Sequence, residues 1–298
     1  MPARTQAPCI ARERGWNRRR VLGSLCAAGV GLAAPPVRAQ TMFRFGLTPV
    51  FLDSDARLLG ALERHLTARL RQSVALVQRR TYQEITTLLL AGQLDAAWIC
   101  GFPFVQYRDQ LSLVAVPVYH GRPQYQSYLI ANAHETATDV EGLRGGVHAF
   151  SDPDSNSGFL VTRYELAMRR ETPSRFFRRF FFTYGHRNVV RAVASGLAQS
   201  GSVDGYVWEV MAEVEPELVA NTRVVRRSEW LGFPPVACLT AREDAPALRA
   251  FGAALTSMRD HPDGCKVLGM LRLDGFQTAP RTLFNPITAM HDFVRTHA

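Results

Sequence analysis

The stretch SDPDSNSGF, Ser151 to Phe159, sets three serines, two aspartates, an asparagine, a proline and a glycine directly before a run with helical spacing. At the start of a helix several backbone N–H groups lack partners and the dipole is positive, so hydroxyls and amides placed there can hold an oxyanion. Ser155, Asn156 and Ser157 stand at that point. The same cluster also fits an ordinary N-cap preceded by a turn. A second strand-to-helix turn, TYGHRN (Thr183 to Asn188), carries His186, which near neutral pH supplies an N–H donor or a positive charge. A third, GLTPVFLDSD (Gly46 to Asp55), has Thr48 at the end of the first strand. In open α/β sheets ligands bind outside the carboxyl ends of the strands, so the three turns can converge on one anion.

Other chemistry finds little support. There is no G-x-S-x-G elbow, so Ser155 or Ser157 with His186 lacks the strained turn and a placed third member of a hydrolytic set. The eight histidines show no H-E-x-x-H or paired ligand spacing, and no metal is expected. The chain has neither a G-x-x-x-x-G-K loop nor a Rossmann glycine pattern, and no cofactor is expected.

The elements that must carry these turns alternate. MFRFGL reads as a short strand, Thr48 to Ser54 as a polar turn, and Leu58, Leu59, Leu62, Leu66 and Leu70 recur at helical spacing. VALVQ is a second strand, YQEITTLLLAG a helix closed by Gly92, and LDAAWI a third strand. This is the βαβ rhythm of a parallel, doubly wound sheet. LVAVPVY and QSYLIA add strands around the loop from His120 to Gln124. A second alternating block follows: GGVHAF, the serine-rich turn, a helix from Phe159 to Arg170, strand RFFFTY, a helix from Asn188 to Ser195, and strand VDGYVW. After EWLGFPPVACLTA come helices over Ala245 to Met258, Asp263 to Leu271 and Pro286 to Thr296. No internal repeat is visible. The expectation is an α/β protein of two lobes with a cleft between them.

The first 39 residues read as an export signal. Arg18, Arg19 and Arg20 precede an apolar, small-residue stretch too short to span a bilayer, NRRRVL resembles the twin-arginine pattern, and Val37, Arg38 and Ala39 give a small-x-small cleavage site. A disordered basic tail is the alternative. Seven of the 35 basic and one of the 26 acidic residues fall in this segment, leaving 28 and 25, a net of +3. Most of the basic excess belongs to the signal, so no nucleic-acid partner is expected. Only Cys100, Cys238 and Cys265 remain beyond it, an odd and widely spaced set that implies no disulfide framework.

From its motifs the chain resembles the phosphate/phosphite/phosphonate-binding proteins of ABC importers, a two-lobed type II periplasmic-binding-protein fold. The carrying stretches are DPDSNSGFLV (Asp152 to Val161), Gly185 with His186, AVASG (Ala192 to Gly196), VDGYVWE (Val203 to Glu209), LDAAW (Leu94 to Trp98) and LDGF (Leu273 to Phe276). In such proteins the serine-rich loop and the histidine hold the phosphonate oxygens, which implicates Ser155, Asn156, Ser157 and His186. Asn156 stands where many members have threonine. The acids that hold an amino group in aminophosphonate binders fall, without gaps, on Tyr206 and Phe233. With Trp208, Trp98 and Phe102 these would make the distal pocket aromatic, although each also reads as core.

The resemblance implies a periplasmic solute-binding protein, not an enzyme, that captures phosphate, phosphite or a phosphonate by closing two lobes. Residues 40 to about 125 with about 236 to 298 form one lobe, and about 126 to 235 the other. Thr48 closes from the first lobe, while Tyr206 and Phe233 set what hangs from the anion. A five-atom oxyanion at about −1.5 kcal/mol per atom reaches about −7.5 kcal/mol, a Kd of a few micromolar. The partners are an inner-membrane ABC permease and its ATPase, and the protein is a monomer. A ligand-sensing subunit on a membrane receptor and a binding-protein fold turned to catalysis are the alternatives.

Overall fold

Short buried strands and amphipathic helices build two mixed sheets in the computed structural model, which describes residues 42–49 and 56–297. The segment expected to be an export signal and residues 50–55 of the first polar turn lie outside the described residues. The first sheet comprises β1 (Phe43–Leu47), β2 (Val74–Gln78), β3 (Ala96–Trp98), β4 (Leu111–Val118), β12 (Val236–Leu239) and β13 (Gly275–Gln277), in the order β13-β4-β12-β3-β1-β2. β1 runs parallel to β2 and β3, and β12 lies antiparallel between β3 and β4. The second contains β6 (Ser127–Asn132), β7 (Val147–Phe150), β8 (Arg179–Phe182), β9 (Ser200–Asp204) and β10 (Thr222–Arg227), ordered β10-β6-β9-β7-β8. Where the chain crosses between the sheets, β5 (Gln124–Tyr125) and β11 (Leu231–Gly232) pair antiparallel, so the two crossings lie side by side.

The described helices are α1 (Ala56–Leu70), α2 (Tyr82–Leu90), α3 (Gly101–Gln106), α4 (Val161–Ala167), α5 (Pro173–Phe176), α6 (His186–Ala194), α7 (Gly205–Val214), α8 (Pro216–Val219), α9 (Pro246–Thr256), α10 (Pro262–Leu271) and α11 (Asn285–His297). α1 buries Leu58, Ala61, Leu62, His65 and Leu66, one face of a 3.6-residue period. α2 starts where Thr81 and Glu84 exchange a capping box and stops at Gly92, whose φ of +68° favours glycine. Phe43 and Phe45 meet Phe251 of α9 at 4.7 and 4.9 Å, which anchors the first sheet. The second has its own aromatic cluster in Phe150, Phe159, Phe177 and Phe182. Each buried phenylalanine of these clusters contributes about 1.5–3 kcal/mol by leaving water. α11 packs on both α3 and α4 and so ties the two halves together behind the crossings.

Among the differences from the sequence reading are two element boundaries at the site. VDGYVW is not one strand: β9 ends at Asp204 and α7 begins at Gly205. Its β-branched and aromatic residues favour extended structure, but the Asp204 carboxylate accepts from Tyr206 N (2.9 Å) and Val207 N (3.4 Å) and starts a helix instead. The helix expected from Phe159 begins earlier, with a π turn over Asn156–Leu160 closed by Leu160 N to Ser155 O at 3.0 Å. Such turns widen the helix and concentrate at functional sites.

Candidate functional site

The π turn leaves backbone donors where a uniform helix would start. Ser155 is the N-cap and its Oγ accepts from Gly158 N at 3.0 Å. Asn156 N–H donates to Cys100 Sγ of the opposite lobe at 3.1 Å, and its Nδ2 donates to Tyr125 Oη at 2.9 Å. Ser157 O accepts from Ser127 Oγ of β6 at 2.7 Å, while no acceptor for Ser157 N–H occurs among the described residues. All three residues are buried. Gly158 is required by space alone: a Cβ there would lie 1.8 Å from Ser151 Oγ.

His186 is the first residue of α6, and the next turn of the sheet brings it beside the serine loop. Its Nδ1 accepts from Asp204 N at 3.1 Å, so the ring proton sits on Nε2. Burial pushes its pKa down to about 3, which makes it a neutral donor rather than a cation. Asp204 ends β9 opposite Ser127 and is itself buried. One of its oxygens caps α7, and the other, Oδ2, has no partner among the described residues. Burial first, with the Glu209 charge adding and the Val207 and Tyr206 N–H groups opposing, pushes its carboxyl up to about 8.

The first lobe answers with groups that sequence reasoning passed over. Tyr82, the first residue of α2, is fully buried with its hydroxyl unpartnered, and its N–H donates to Asp152 Oδ2 at 3.3 Å across the cleft. Asp152 also accepts from Asp154 N at 2.8 Å, so it both orders the turn and bridges the lobes. Burial raises the Asp152 and Asp154 carboxyls. Tyr125 sits on the first crossing, where its hydroxyl accepts from Asn156 Nδ2. Cys100 is a buried free thiol, as Cys238 is, while free Cys265 is exposed. The signal available for Tyr82 was its position at the start of a capped helix, the same feature that marked Ser155.

The remaining expected residues lie around this centre. Thr48 is buried at the end of β1, and both its N–H and its Oγ1 donate to Trp98 O, at 3.2 and 3.0 Å. Phe233 is fully buried and packs on Tyr125 with ring centroids 5.4 Å apart. Tyr206 packs behind it at 5.3 Å and gives its hydroxyl hydrogen to Leu271 O of the first lobe. Trp98 is tied by its Nε1 to Pro234 O at 2.9 Å, whereas Trp208 turns away to Thr222 and Tyr128 in the second lobe. Ser155, Asn156, Ser157 and His186 therefore gather with Tyr82, Tyr125 and Asp204, while Tyr206 and Phe233 stand one layer out. The arrangement offers neutral donors on buried residues. Among the described residues no serine hydroxyl is hydrogen-bonded to His186, whose Nδ1 accepts a backbone N–H.

Comparison with known proteins agrees with this fold. Residues 45–283 match the family described as "ABC transporter, phosphonate, periplasmic substrate-binding protein". Among solved structures, a binding-protein component of an ABC phosphonate transporter from Pseudomonas aeruginosa superposes with a TM-score of 0.77 at 20% identity, covering 86% of this chain and 87% of that one. PhnD1 from Prochlorococcus marinus, in complex with methylphosphonate, gives 0.76 at 17% identity over 85% and 98%. A Xanthomonas citri protein bound to ATP gives 0.69 at 17% over 86% and 99%. The fold is the two-lobed type II architecture of periplasmic binding proteins, and the chain belongs to the family of periplasmic substrate-binding proteins of phosphonate ABC transporters.

Proposed function

We propose that this protein captures a small phosphorus oxyanion, phosphate, phosphite or a phosphonate, in the periplasm and delivers it to an inner-membrane ABC permease driven by its ATPase. The observation that carries this reading is the set of donors without a partner among the described residues, Tyr82 Oη, His186 Nε2 and Ser157 N–H, beside the N-termini of the π turn and α6. Buried polar atoms are rarely left unpaired, and a ligand supplies what the protein lacks. Ser155, Asn156 and Ser157 hold the anion with the free N–H of Ser157, and His186 donates from Nε2. Thr48 bounds the site from the first lobe, while Phe233 and Tyr206 form the wall behind Tyr125 that limits what hangs from the anion. Residues 40–125 with 236–298 move as one lobe and 126–235 as the other, about the paired crossings β5 and β11. The first 39 residues direct twin-arginine export, with cleavage after Ala39, and the protein performs no chemistry on its ligand.

A thermal-shift panel with phosphate, phosphite, methylphosphonate, aminoethylphosphonate, sulfate and carboxylates tests the reading. At about a hundred times Kd a ligand adds about 2.7 kcal/mol, or roughly 5 to 10 °C for a chain of this size. The expected result is a shift with a phosphorus oxyanion that Ser157→Ala and His186→Ala both abolish. A shift that survives both substitutions, or none with any phosphorus oxyanion, would overturn it.

A further inference from the structure

The charge inventory around Asp204 conflicts with a fully ionised ligand. Asp204 Oδ2 is a buried carboxyl oxygen with no partner, on the strand end that also carries the contact to His186. The groups facing it are neutral or acidic. From α6 comes His186, held neutral by burial; from α2, β5 and the start of α3 come Tyr82, Tyr125 and Cys100, all within its electrostatic reach. The β7–α4 turn adds Asp152, whose charge bears on the same Tyr82 and Cys100, and its own helix α7 adds Glu209. Among the described residues no lysine or arginine shifts Asp204, Asp152 or His186. The sequence of residues 50–55, VFLDSD, contains none either.

A fully ionised phosphorus oxyanion offers only acceptors, and an ionised carboxylate only accepts. Set together among buried groups with no cation beside them among the described residues, the two repel and leave both oxygens unpaired. Asn156 escapes the conflict, since its amide can turn its NH2 toward the ligand. Asp204 cannot. Taking as given that this site binds a phosphorus oxyanion, we propose that Asp204 and the ligand share one proton, so the closed protein takes up a phosphonate or phosphate dianion only together with H⁺. The proton bridges Asp204 Oδ2 and a ligand oxygen, and no covalent bond changes. The raised pKa of Asp204 in the unliganded protein, about 8, goes the same way, and an adjacent anion raises it further.

Calorimetric titration of the purified protein with methylphosphonate between pH 6.5 and 9.5, in two buffers of different ionisation enthalpy, counts the protons directly. Asp204→Asn keeps the helix cap, since asparagine caps as well as aspartate, and supplies a fixed N–H in place of the shared proton. The wild-type protein should take up close to one proton per ligand at pH 9, and its Kd should weaken about tenfold per pH unit above about pH 8.5. Asp204→Asn should take up none and hold a constant Kd from pH 8.5 to 9.5, so that it becomes the tighter binder there. Wild-type binding with no proton uptake, or the same slope in Asp204→Asn, overturns the shared proton while leaving the site intact. Failure of both proteins to bind at any pH overturns the site and the inference together.

Discussion

Replacing Gly158 by alanine tests whether the π turn is as tightly built as the distances say. The added Cβ would lie 1.8 Å from Ser151 Oγ, 2.7 Å from Ser151 Cβ and 2.9 Å from Ser155 Oγ. Gly158 is not in a left-handed conformation, so the backbone accepts alanine and the penalty is steric. The loop cannot swing away freely, because Ser151 N–H donates to Gly158 O at 3.2 Å. Overpacking of this kind costs about 1–3 kcal/mol. Taking about 2 kcal/mol, and about 2–4 °C per kcal/mol for a chain of this length, Tm should fall by about 4–8 °C. Anion affinity should fall with it, since Ser155 and Ser157 flank the clash. The clash has one main source, and that makes the reasoning testable. Ser151 Oγ has no hydrogen-bond partner, so Ser151→Gly removes it at little more than the about 0.5–1 kcal/mol entropic cost of a glycine. Differential scanning calorimetry of both single variants and the double variant gives the coupling. Gly158→Ala with Ser151→Gly should recover more than half of the Tm lost in Gly158→Ala alone. A single variant that melts within 1 °C of wild type, on the scale of about 2–4 °C per kcal/mol, or a double variant less stable than either, would refute the packing argument.

Tyr82→Phe removes a hydroxyl that the unliganded protein leaves unpaired, so Tm without ligand should hold steady or rise slightly while methylphosphonate affinity drops about 10- to 100-fold, the worth of about 1.5–3 kcal/mol for a hydrogen bond to a charged group. A loss of stability with unchanged affinity in a calorimetric titration would place the hydroxyl outside the site. His148 in the second sheet is held by Ser200 and Ser202 at 2.7 and 2.9 Å, and burial pushes its pKa down to about 3. The unfolded chain binds a proton there at about pH 6.5, so the folded state loses stability as pH falls from about 6.5 toward 3, by up to about 1.4 kcal/mol per unit. His148→Gln should flatten that part of the acid limb relative to wild type in urea unfolding from pH 6.5 to 4. Parallel curves would contradict the neutral burial of His148.

The periodic parts of the fold were legible because burial writes itself into the spacing. The leucines of α1, the closing Gly92 of α2 and the FFF run of β8 announce their elements before any coordinate is seen. The serine-rich turn was legible for the same reason that it works, since unpaired helix N–H groups select hydroxyl and amide neighbours. What stayed hidden depends on partners far away in the chain. SGSVD is too small and polar to read as a strand, yet all five residues of β9 are buried between β6 and β7. Tyr82 and Asn156 are 74 residues apart and meet the site only when the lobes come together. Tyr206 was aligned as a pocket residue by counting along the chain. That its hydroxyl reaches Leu271 from helix α7 depends on packing between distant parts of the chain.

A crystal structure of the protein with methylphosphonate tests the central claim most directly. The account predicts phosphonate oxygens within hydrogen-bond distance, about 2.6–3.2 Å, of Ser157 N, His186 Nε2 and Tyr82 Oη, with one oxygen equally close to Asp204 Oδ2. A phosphonate bound elsewhere in the cleft, with Ser157 N and His186 Nε2 facing only water, would contradict it.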